Sequence, residues 1–392
     1  MIDNKSLDGY LTWAEIDLKA IAHNVQAVKN RLDPTVGVMA VVKANAYGHG
    51  AVEVARAALA AGAEWLAVNR VEEGLILRQA GIEARTLVLG YCPPGQAGLV
   101  VAHNLTPAVT TLATANALAK RSRELNRKFS IHLKIDTGMG RFGLLPEEVI
   151  DFTGALAEFS SLKIEGIFSH LAMADDPDPS FSRQQMRVYQ DVVRALESAG
   201  LEIPLHHLAN SAAGLQLPET HYHLVRLGVA MYGLTPSTKL DLPVDLRPAM
   251  TLKTRVARLR VLSTGAAVGY GRTFLASRPT AVALAPVGYG DGYPRLCSNR
   301  GAMLIRGQRA GVIGMVSMDQ SSLDVSRVDG VTQDDEVVVF GRQGEAEIPA
   351  EEVAEWAETI NYEIVTRLAA RVPRIYLEGL SPIGSSIQNV LP

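Results

Sequence analysis

The stretch between Val36 and Gly62, "VGVMAVVKANAYGHGAVEVARAALAAG", contains three segments of different character. An apolar run ends at Lys43, a turn of small residues and glycines follows, and an alanine-rich helical pattern completes the unit. A short apolar run before turn residues predicts a buried strand, and the later periodicity predicts an amphipathic helix. The unit is therefore a strand, a turn and a helix, with a lysine at the carboxyl end of the strand.

The same unit recurs as far as Leu234. Further apolar runs are "WLAV", "TLVLG", "TPAVT", "FSIHLKID", "LKIEGIFSHL", "IPLHHLAN" and "YHLVRLGV", and helical patterns separate them. Strands that alternate with helices predict parallel strands joined by right-handed crossovers. About eight such units in roughly 200 residues favour a closed (β/α)8 barrel of the TIM type. A doubly wound open sheet is the competing architecture.

The pattern changes after Asp245. Short β-rich runs follow, punctuated by glycine and proline: "KTRVARLRV", "TAVALAP", "AMLIRG", "RAGVIG", "SSLDV" and "EVVVFG". Several such strands with turns between them predict a second, mainly β domain. We therefore predict an α/β barrel over residues 1–245 and a mainly β domain over residues 246–392, with about the first 12 residues as candidates for packing on the β domain.

The composition excludes several classes of function. The chain has 392 residues and a net charge of −3, and it lacks a dense basic cluster, so nucleic acid and membrane surfaces are not indicated as partners. Its two cysteines, Cys92 and Cys297, fit a reducing compartment. The N-terminus has no apolar signal core, and the longest apolar runs are too short to span a membrane. We expect a cytoplasmic protein.

Polar side chains follow several of the predicted barrel strands. They are Lys43, Lys134, Asp136, His170, Asn210 and Arg226. A lone lysine at a strand end is ordinarily a surface residue, but barrel enzymes carry their chemistry at the carboxyl ends of the strands. Because these residues come from separate strands and meet on one rim, the sequence predicts an active site there.

Two other motifs carry less weight. The segment "GMGRFG", Gly138 to Gly143, matches a dinucleotide-binding pattern formally, but Pro146 follows and the required helix does not open on the glycines. The triplet "HYH", His221 to His223, offers two imidazoles without a third ligand. We expect neither a nicotinamide cofactor nor a metal.

The segment "KANAYGHG" resembles the lysine motif of the alanine racemase family, which consists of fold-type III pyridoxal phosphate enzymes. The resemblance continues in order through both domains, in "KIDTGMGRFG", "FSHLAMAD", "HHLANSAA", "VRLGVAMYG", "VGYGRTF", "GYGDGYPR", "VSMDQ" and "RVPRIY". It implies pyridoxal 5'-phosphate as cofactor and two-base transfer of the Cα proton between L-alanine and D-alanine, which supplies D-alanine for peptidoglycan. It also implies a homodimer with shared active sites.

The resemblance assigns the catalytic roles to four residues. Lys43 would form the imine with the cofactor and act as the base on one face of the substrate, and Tyr270 would act on the opposite face. A tyrosine pKa of about 10 must be lowered for this task, and the resemblance implies a chain from Tyr270 through His170 to Arg226 that does so. Arg226 would point at the pyridine nitrogen, where a guanidinium can only donate a hydrogen bond.

The remaining roles concern binding. The residues implied for the cofactor and its phosphate are Tyr47, Asn210, Ser211, Gly228, Val229 and Tyr376, together with Lys43, His170 and Arg226. For the substrate carboxylate, the resemblance nominates Arg141 and the backbone amide of Met318. It further implies that Tyr289 and Asp319 narrow the entrance and that Lys134, carbamylated in many relatives, orients Arg141.

Three alternatives stay open at this stage. A racemase of broader specificity, for example toward serine, differs only in its pocket, and Met315 stands where family members often have arginine. A fold-type III decarboxylase would leave the carboxylate unclamped, so Arg141 and the "SMDQ" loop argue against it. A non-catalytic, regulatory protein that binds pyridoxal phosphate is usually a lone barrel, so the second domain with Tyr270 argues against that function.

Overall fold

Residues 9–377 are described by a computed structural model, and their first regular elements are strand β1 (Thr12–Asp17) and helix α1 (Leu18–Lys29). Eight parallel strands then form one sheet: β2 (Gly37–Val41), β3 (Trp65–Val68), β4 (Thr86–Val88), β5 (Thr106–Val109), β6 (Phe129–Lys134), β7 (Leu162–Phe168), β8 (Leu205–His207) and β9 (Leu224–Leu227). They are paired in chain order from β2 to β8, with β9 beside β2.

The sheet nearly closes on itself between β8 and β9. The amide of His223 donates to His206 O at 3.0 Å, and the amide of Arg226 donates to Ala209 O at 3.1 Å. The TIM-type barrel predicted from the sequence is thus confirmed, because every predicted apolar run of this region contains one of its strands.

Helices cover the outside of the barrel and connect its strands. They are α3 (Ala51–Ala60), α4 (Val71–Gln79), α5 (Ala97–Ala102), α6 (Leu112–Glu124), α7 (Val149–Leu156), α8 (Ser180–Ser198) and α9 (Ser211–Gln216), and a left-handed turn, labelled α2 (Lys43–Tyr47), follows β2. No helix within residues 9–377 is both long and apolar enough to span a membrane.

The barrel interior holds a small apolar core of its own. Met39 and Val41 from β2, Trp65 from β3 and Phe168 from β7 pack together there and are almost fully buried. The alternate side chains of the same strands, such as Val38 and Ala40, belong to the larger core under the helices. This alternation explains why the strands are continuous apolar runs, since both faces of a barrel strand are covered.

The second part of the chain is a mainly β structure, as predicted. Its strands are β10 (Met250–Arg255), β11 (Arg258–Leu262), β12 (Ala267–Val268), β13 (Phe274–Leu275), β14 (Thr280–Ala285), β15 (Ala302–Ile305), β16 (Gln308–Val312), β17 (Ser321–Asp324), β18 (Glu336–Gln343), β19 (Ala346–Ile348) and β20 (Arg374–Leu377). Helices α10 (Ala350–Trp356) and α11 (Asn361–Thr366) precede β20. The order β11-β14-β17-β16-β15-β18-β10-β1-β20 defines the main sheet, β19 pairs with β18, and β12 pairs with β13.

Strand β1 belongs to this second sheet although it precedes the barrel. It pairs antiparallel with β10, where Ala14 lies opposite Leu252, and parallel with β20, where Ala14 lies opposite Arg374. The N-terminal segment that joins the β structure therefore reaches Asp17, further than the first 12 residues that we predicted. Residues 1–8 lie outside the described residues, and the division at residue 245 stays a prediction.

Candidate active site

A cavity of about 650 Å³ opens at the carboxyl ends of the barrel strands. It is lined by most of the residues predicted for the site: Lys43, Tyr47, Lys134, Arg141, His170, Asn210, Ser211, Arg226, Gly228 and Val229. They come from the ends of β2, β6, β7, β8 and β9. The structure thus brings together, on one rim, side chains that are up to 186 positions apart in the sequence.

The turn that carries Lys43 has an unusual backbone. Ala44 to Tyr47 all have φ values of 52–53°, in the left-handed region. This conformation costs roughly 1–2 kcal/mol for each non-glycine residue, so surrounding contacts must hold it. The Glu73 carboxylate accepts a hydrogen bond from the amide of Ala44 at 2.6 Å, and Asn45 Oδ1 accepts from the amide of Ala51 at 2.9 Å.

Contacts from the β structure hold the other end of this turn. Arg374 Nε donates to Gly48 O at 2.9 Å. Gly48 has a φ of 84°, and a Cβ at this position would overlap Val365 O. Gly50 has a φ of 101°, and a Cβ there would overlap the Tyr376 hydroxyl. The two glycines of the opening sequence stretch therefore allow α11 and β20 to approach the lysine turn closely.

The cavity is rich in positive charge. Burial lowers the pKa of Lys43, Arg141 lowers it further, Glu73 opposes the shift, and Arg226 adds to it. Burial and the neighbouring Arg226 and Arg141 also lower the pKa of Lys134 to about 8. Both amines are thus more easily neutralised than free lysine, and the site favours an anionic ligand.

Arg226 lies at the centre of a buried network. Its side chain is 4% exposed, Nη1 donates to His207 O and His207 Nδ1, and Nη2 donates to Ser169 O and Leu208 O. Nη2 also lies 3.2 Å from His170 Nδ1. Since a guanidinium can only donate, Nδ1 of His170 must be the acceptor. Burial lowers the pKa of His170 well below its ordinary value, which favours the neutral ring, and since Nδ1 accepts, the proton of that ring is on Nε2.

A compact cradle lies between the ends of β8 and β9. The Ser211 hydroxyl accepts from the amide of Gly228 at 2.8 Å, and Asn210 Oδ1 caps α9 by accepting from the amide of Ala213 at 3.1 Å. A Cβ at Gly228 would lie 2.9 Å from the Tyr47 hydroxyl oxygen, so glycine keeps this corner open. Burial raises the pKa of Tyr47 to about 12, so its hydroxyl keeps the proton that it can donate.

The loop after β6 is organised by Asp136. Its carboxylate accepts hydrogen bonds from the amides of Gly138, Met139, Gly140 and Arg141 at 2.9–3.0 Å. Partial burial opposes ionisation, but these four donors outweigh it and lower the pKa of the carboxyl group. The backbone of Arg141 is therefore fixed while its side chain faces the cavity.

Residues predicted from the β domain are not among the described residues that line this cavity. Tyr270 is 73% exposed and Met318 is 53% exposed, and Tyr289 is also on the surface. The loops of Met318 and Tyr289 are joined, since the amide of Tyr289 donates to Ser317 O at 3.1 Å. Asp319 accepts from Arg371 Nη2 at 2.7 Å. These side chains thus lie on the surface of the β structure of the same chain.

Two tyrosines near the lysine turn differ in whether they line the cavity. Tyr376, predicted as part of the phosphate anchor, packs against Gly50 and is not among the described residues that line the cavity. Tyr362 at the start of α11 does line it, and its ring lies 6.2 Å from that of Tyr47. Tyr362 was not predicted from the sequence, because a tyrosine in the first turn of a short helix has no distinguishing signal. Glu73 was not predicted either, because a glutamate in the first turn of a helix ordinarily only caps that helix.

A lysine with a lowered pKa and a buried guanidinium lie on the rim of a TIM-type barrel that is followed by a β domain, which is the arrangement that the resemblance to fold-type III pyridoxal phosphate enzymes implies. The family model described as "Alanine racemase, N-terminal domain" matches residues 16–236, and "Alanine racemase, C-terminal domain" matches residues 249–376. The chain therefore belongs to the alanine racemase family, whose members depend on pyridoxal 5'-phosphate.

Individual relatives are similar over nearly the full chain. Alanine racemase of Symbiobacterium thermophilum is 48% identical over 94% of this chain and 98% of its own length. The crystal structure of alanine racemase from Streptomyces lavendulae is 40% identical, with a TM-score of 0.90 over 94% of this chain and 97% of that one. Histidine racemase from Leuconostoc mesenteroides is 28% identical, with a TM-score of 0.87 over 95% and 99% of the two chains.

Proposed function

We propose that this chain interconverts L-alanine and D-alanine, moving the Cα proton between Lys43 on one face of the substrate and Tyr270 on the other. The observation that carries the proposal is the Lys43 amine in one cavity with an anion cradle and the Arg226 guanidinium. Membership of the alanine racemase family supports alanine as the substrate.

The cavity residues fit pyridoxal 5'-phosphate. When bound, this group supplies a conjugated ring that delocalises the electron pair left by removal of the Cα proton. Lys43 would hold it through its amine. Tyr47, Ser211 and the amides of Gly228 and Val229 would hold the phosphate, with Asn210 assisting. The open corner at Gly228 and the protonated Tyr47 hydroxyl support this assignment.

Arg226 would face the pyridine nitrogen and donate a hydrogen bond to it. Burial lowers the pKa of Arg226 to about 10, so the guanidinium stays charged near neutral pH. It can donate a hydrogen bond to the nitrogen but does not transfer a proton to it. The nitrogen would therefore stay unprotonated, and electron density would remain closer to Cα. We expect this arrangement to favour return of the proton to Cα over transamination.

The two proposed acid–base groups, Lys43 and Tyr270, have different surroundings. Lys43 has a lowered pKa, so its Nζ is more readily available to take a proton from Cα and return it than the amine of a free lysine. Tyr270 would act on the opposite face. His170, which accepts from Arg226 at Nδ1 and carries its proton on Nε2, would donate a hydrogen bond to the phenol oxygen.

We propose that the site is completed in a homodimer by Tyr270 of the partner subunit. The 73% exposure of Tyr270 supports this arrangement, as does its absence from the described lining of the cavity in its own chain. To test it, Lys43→Ala and Tyr270→Phe chains are mixed and allowed to exchange subunits. About one quarter of wild-type activity should return, since half of randomly paired dimers are hybrids and each holds one intact site. No recovery after confirmed exchange would mean that each site is built within one chain.

For the substrate carboxylate, we propose the Arg141 side chain and the amide of Met318. Tyr289 and Asp319 would narrow the entrance beside them. We propose further that Lys134 is carbamylated. Its lowered pKa favours the neutral amine that reacts with carbon dioxide, and a carbamate would give Arg141 an anionic partner.

Turnover of L-alanine to D-alanine by the purified protein with pyridoxal 5'-phosphate tests the main proposal, with Lys43→Ala as the inactive control. A protein that binds the cofactor without racemising alanine would be a regulatory protein or would act on another amino acid. The structural similarity to a histidine racemase and the presence of Met315 favour one second candidate, a racemase of broader specificity. A panel of L-amino acids that includes serine and histidine distinguishes the two.

We also propose that the reaction takes place in the cytoplasm and supplies D-alanine for peptidoglycan. Cys92 and Cys297 are both free and buried, which fits a reducing compartment. Depletion of the protein in its host should create a requirement for D-alanine, and fractionation should recover activity with cytoplasmic proteins. Growth without added D-alanine would argue against the biosynthetic role.

A further inference from the structure

Glu73 connects helix α4 to the turn that carries Lys43. Its Oε2 accepts hydrogen bonds from the amides of Asn69 at 2.7 Å and Arg70 at 3.0 Å, as a glutamate in the third position of a helix does in a capping box. Its Oε1 accepts from the amide of Ala44 at 2.6 Å. One carboxylate therefore satisfies three backbone donors from two separate segments.

The bond to Ala44 acts on the peptide group directly after Lys43. Ala44 is the first of the left-handed residues, with a φ of 52°. Among the hydrogen bonds of the described residues, Glu73 is the acceptor for its amide. The direction in which the Lys43 side chain leaves the backbone therefore depends on this contact.

Glu73 also acts on Lys43 through its negative charge. The charged and titratable groups that act on Lys43 or line its cavity include Arg141 and Lys134 from β6 and its loop, His170 after β7, Arg226 on β9 and Tyr47 on its own turn. Arg141 and Arg226 lower the pKa of Lys43, and Glu73 raises it. Asp175 also lines the cavity, and Asp136 is engaged by four amides of its own loop.

We propose that Glu73 is a positioning residue for the reactive lysine, which orients Lys43 through the Ala44 amide and offsets the cationic surroundings with its charge. The catalytic meaning of this role rests on the function proposed above. The carboxylate itself would not touch the substrate. It would set the pH range in which the Lys43 amine can accept a proton.

The test compares Glu73→Gln with Glu72→Gln, which removes the same charge one position earlier. The Glu72 carboxylate accepts a hydrogen bond from Gln96 instead of from the lysine turn. In the full-length protein freed of cofactor, the pH dependence of Lys43 acylation, followed by mass spectrometry, reports the pKa of its amine. We expect the midpoint to fall by about one pH unit in Glu73→Gln, since a carboxylate partner has been lost. Glu72→Gln should match wild type.

A second variant separates charge from shape. Glu73→Asp keeps the charge but shortens the side chain, so its midpoint should stay close to that of wild type even if its melting temperature falls. In the cofactor-loaded protein, where the Lys43 amine would be free only after substrate has bound, the acidic limb of kcat for alanine should move to lower pH in Glu73→Gln only. An unchanged acylation midpoint in Glu73→Gln, or equal shifts in all three variants, would overturn the proposal. Because the acylation assay needs no alanine, its outcome is independent of whether the wild-type protein racemises alanine.

Discussion

Gly48→Ala should weaken both the fold and the cofactor site. Gly48 has a φ of 84°, and a Cβ there would overlap the carbonyl oxygen of Val365 in α11. The left-handed conformation costs about 1–2 kcal/mol for alanine. Overpacking against a backbone atom, which cannot rotate away, costs about 1–3 kcal/mol more. The two effects together predict a loss of about 2–5 kcal/mol in the free energy of unfolding.

Gly81→Ala is the matched control. Gly81 has a φ of 76°, and no heavy atom lies within 4 Å of a Cβ built there, so this variant carries the conformational cost alone. Urea unfolding followed by circular dichroism gives both free energies. Because Gly48 follows Tyr47 directly, Gly48→Ala should also weaken the binding of pyridoxal 5'-phosphate, whereas Gly81→Ala should leave it unchanged.

Equal losses of stability in the two variants would refute this reasoning. In that case the close approach of α11 to the lysine turn would have no energetic consequence. A loss in Gly48→Ala that is larger by about 1–3 kcal/mol, accompanied by weaker cofactor binding, would show that the β structure helps to hold the turn.

Further predictions concern single groups of the cavity. Arg226→Glu should increase the formation of pyridoxamine phosphate from alanine, measured by chromatography, because a carboxylate would keep the pyridine nitrogen protonated; no increase over wild type would count against the role of Arg226. A carbon-13 carbamate signal from Lys134 should grow as the pH rises through about 8, where the amine loses its proton, and should be absent in Lys134→Ala. A bare amine at every pH would exclude carbamylation. Tyr47→Phe should weaken cofactor affinity on the order of ten- to a hundredfold, because it removes a hydrogen bond to a charged group. Tyr376→Phe should leave the affinity unchanged, because Tyr376 packs against Gly50 and is not among the described residues that line the cavity. Equal effects of the two phenylalanine variants would support the prediction that Tyr376 is part of the phosphate anchor.

The barrel could be predicted because its strands are buried on both faces. A run such as "WLAV" has to be apolar throughout when one face meets the barrel interior and the other meets the helices. The β domain could also be predicted from the sequence, since its short strands alternate with turns that contain glycine and proline. Strand β1 was harder to assign, because nothing in its six residues says that they pair with β10 and β20 more than 200 positions away.

Part of the candidate site could be predicted because parallel strands end on the same rim of the barrel. Lys43, Lys134 and Arg226 follow or end apolar runs, and parallel strands place all such positions on the same rim. This rule does not say whether Tyr376 or Tyr362 lines the cavity. Both lie near the C-terminal end of the described chain, and which of them meets the cavity depends on how α11 and β20 pack against the lysine turn.

The amino-acid sequence by itself determined the order of strands and helices, the rim on which the polar groups collect, and the family to which the chain belongs. These properties follow from local periodicity and from motifs that keep their spacing. Only the tertiary structure decided that Glu73 binds the amide after Lys43, that two glycines admit α11 and β20, and that Tyr270 is exposed and outside the described lining of the cavity in its own chain. These properties depend on how separate segments of the chain pack together, which no local pattern encodes.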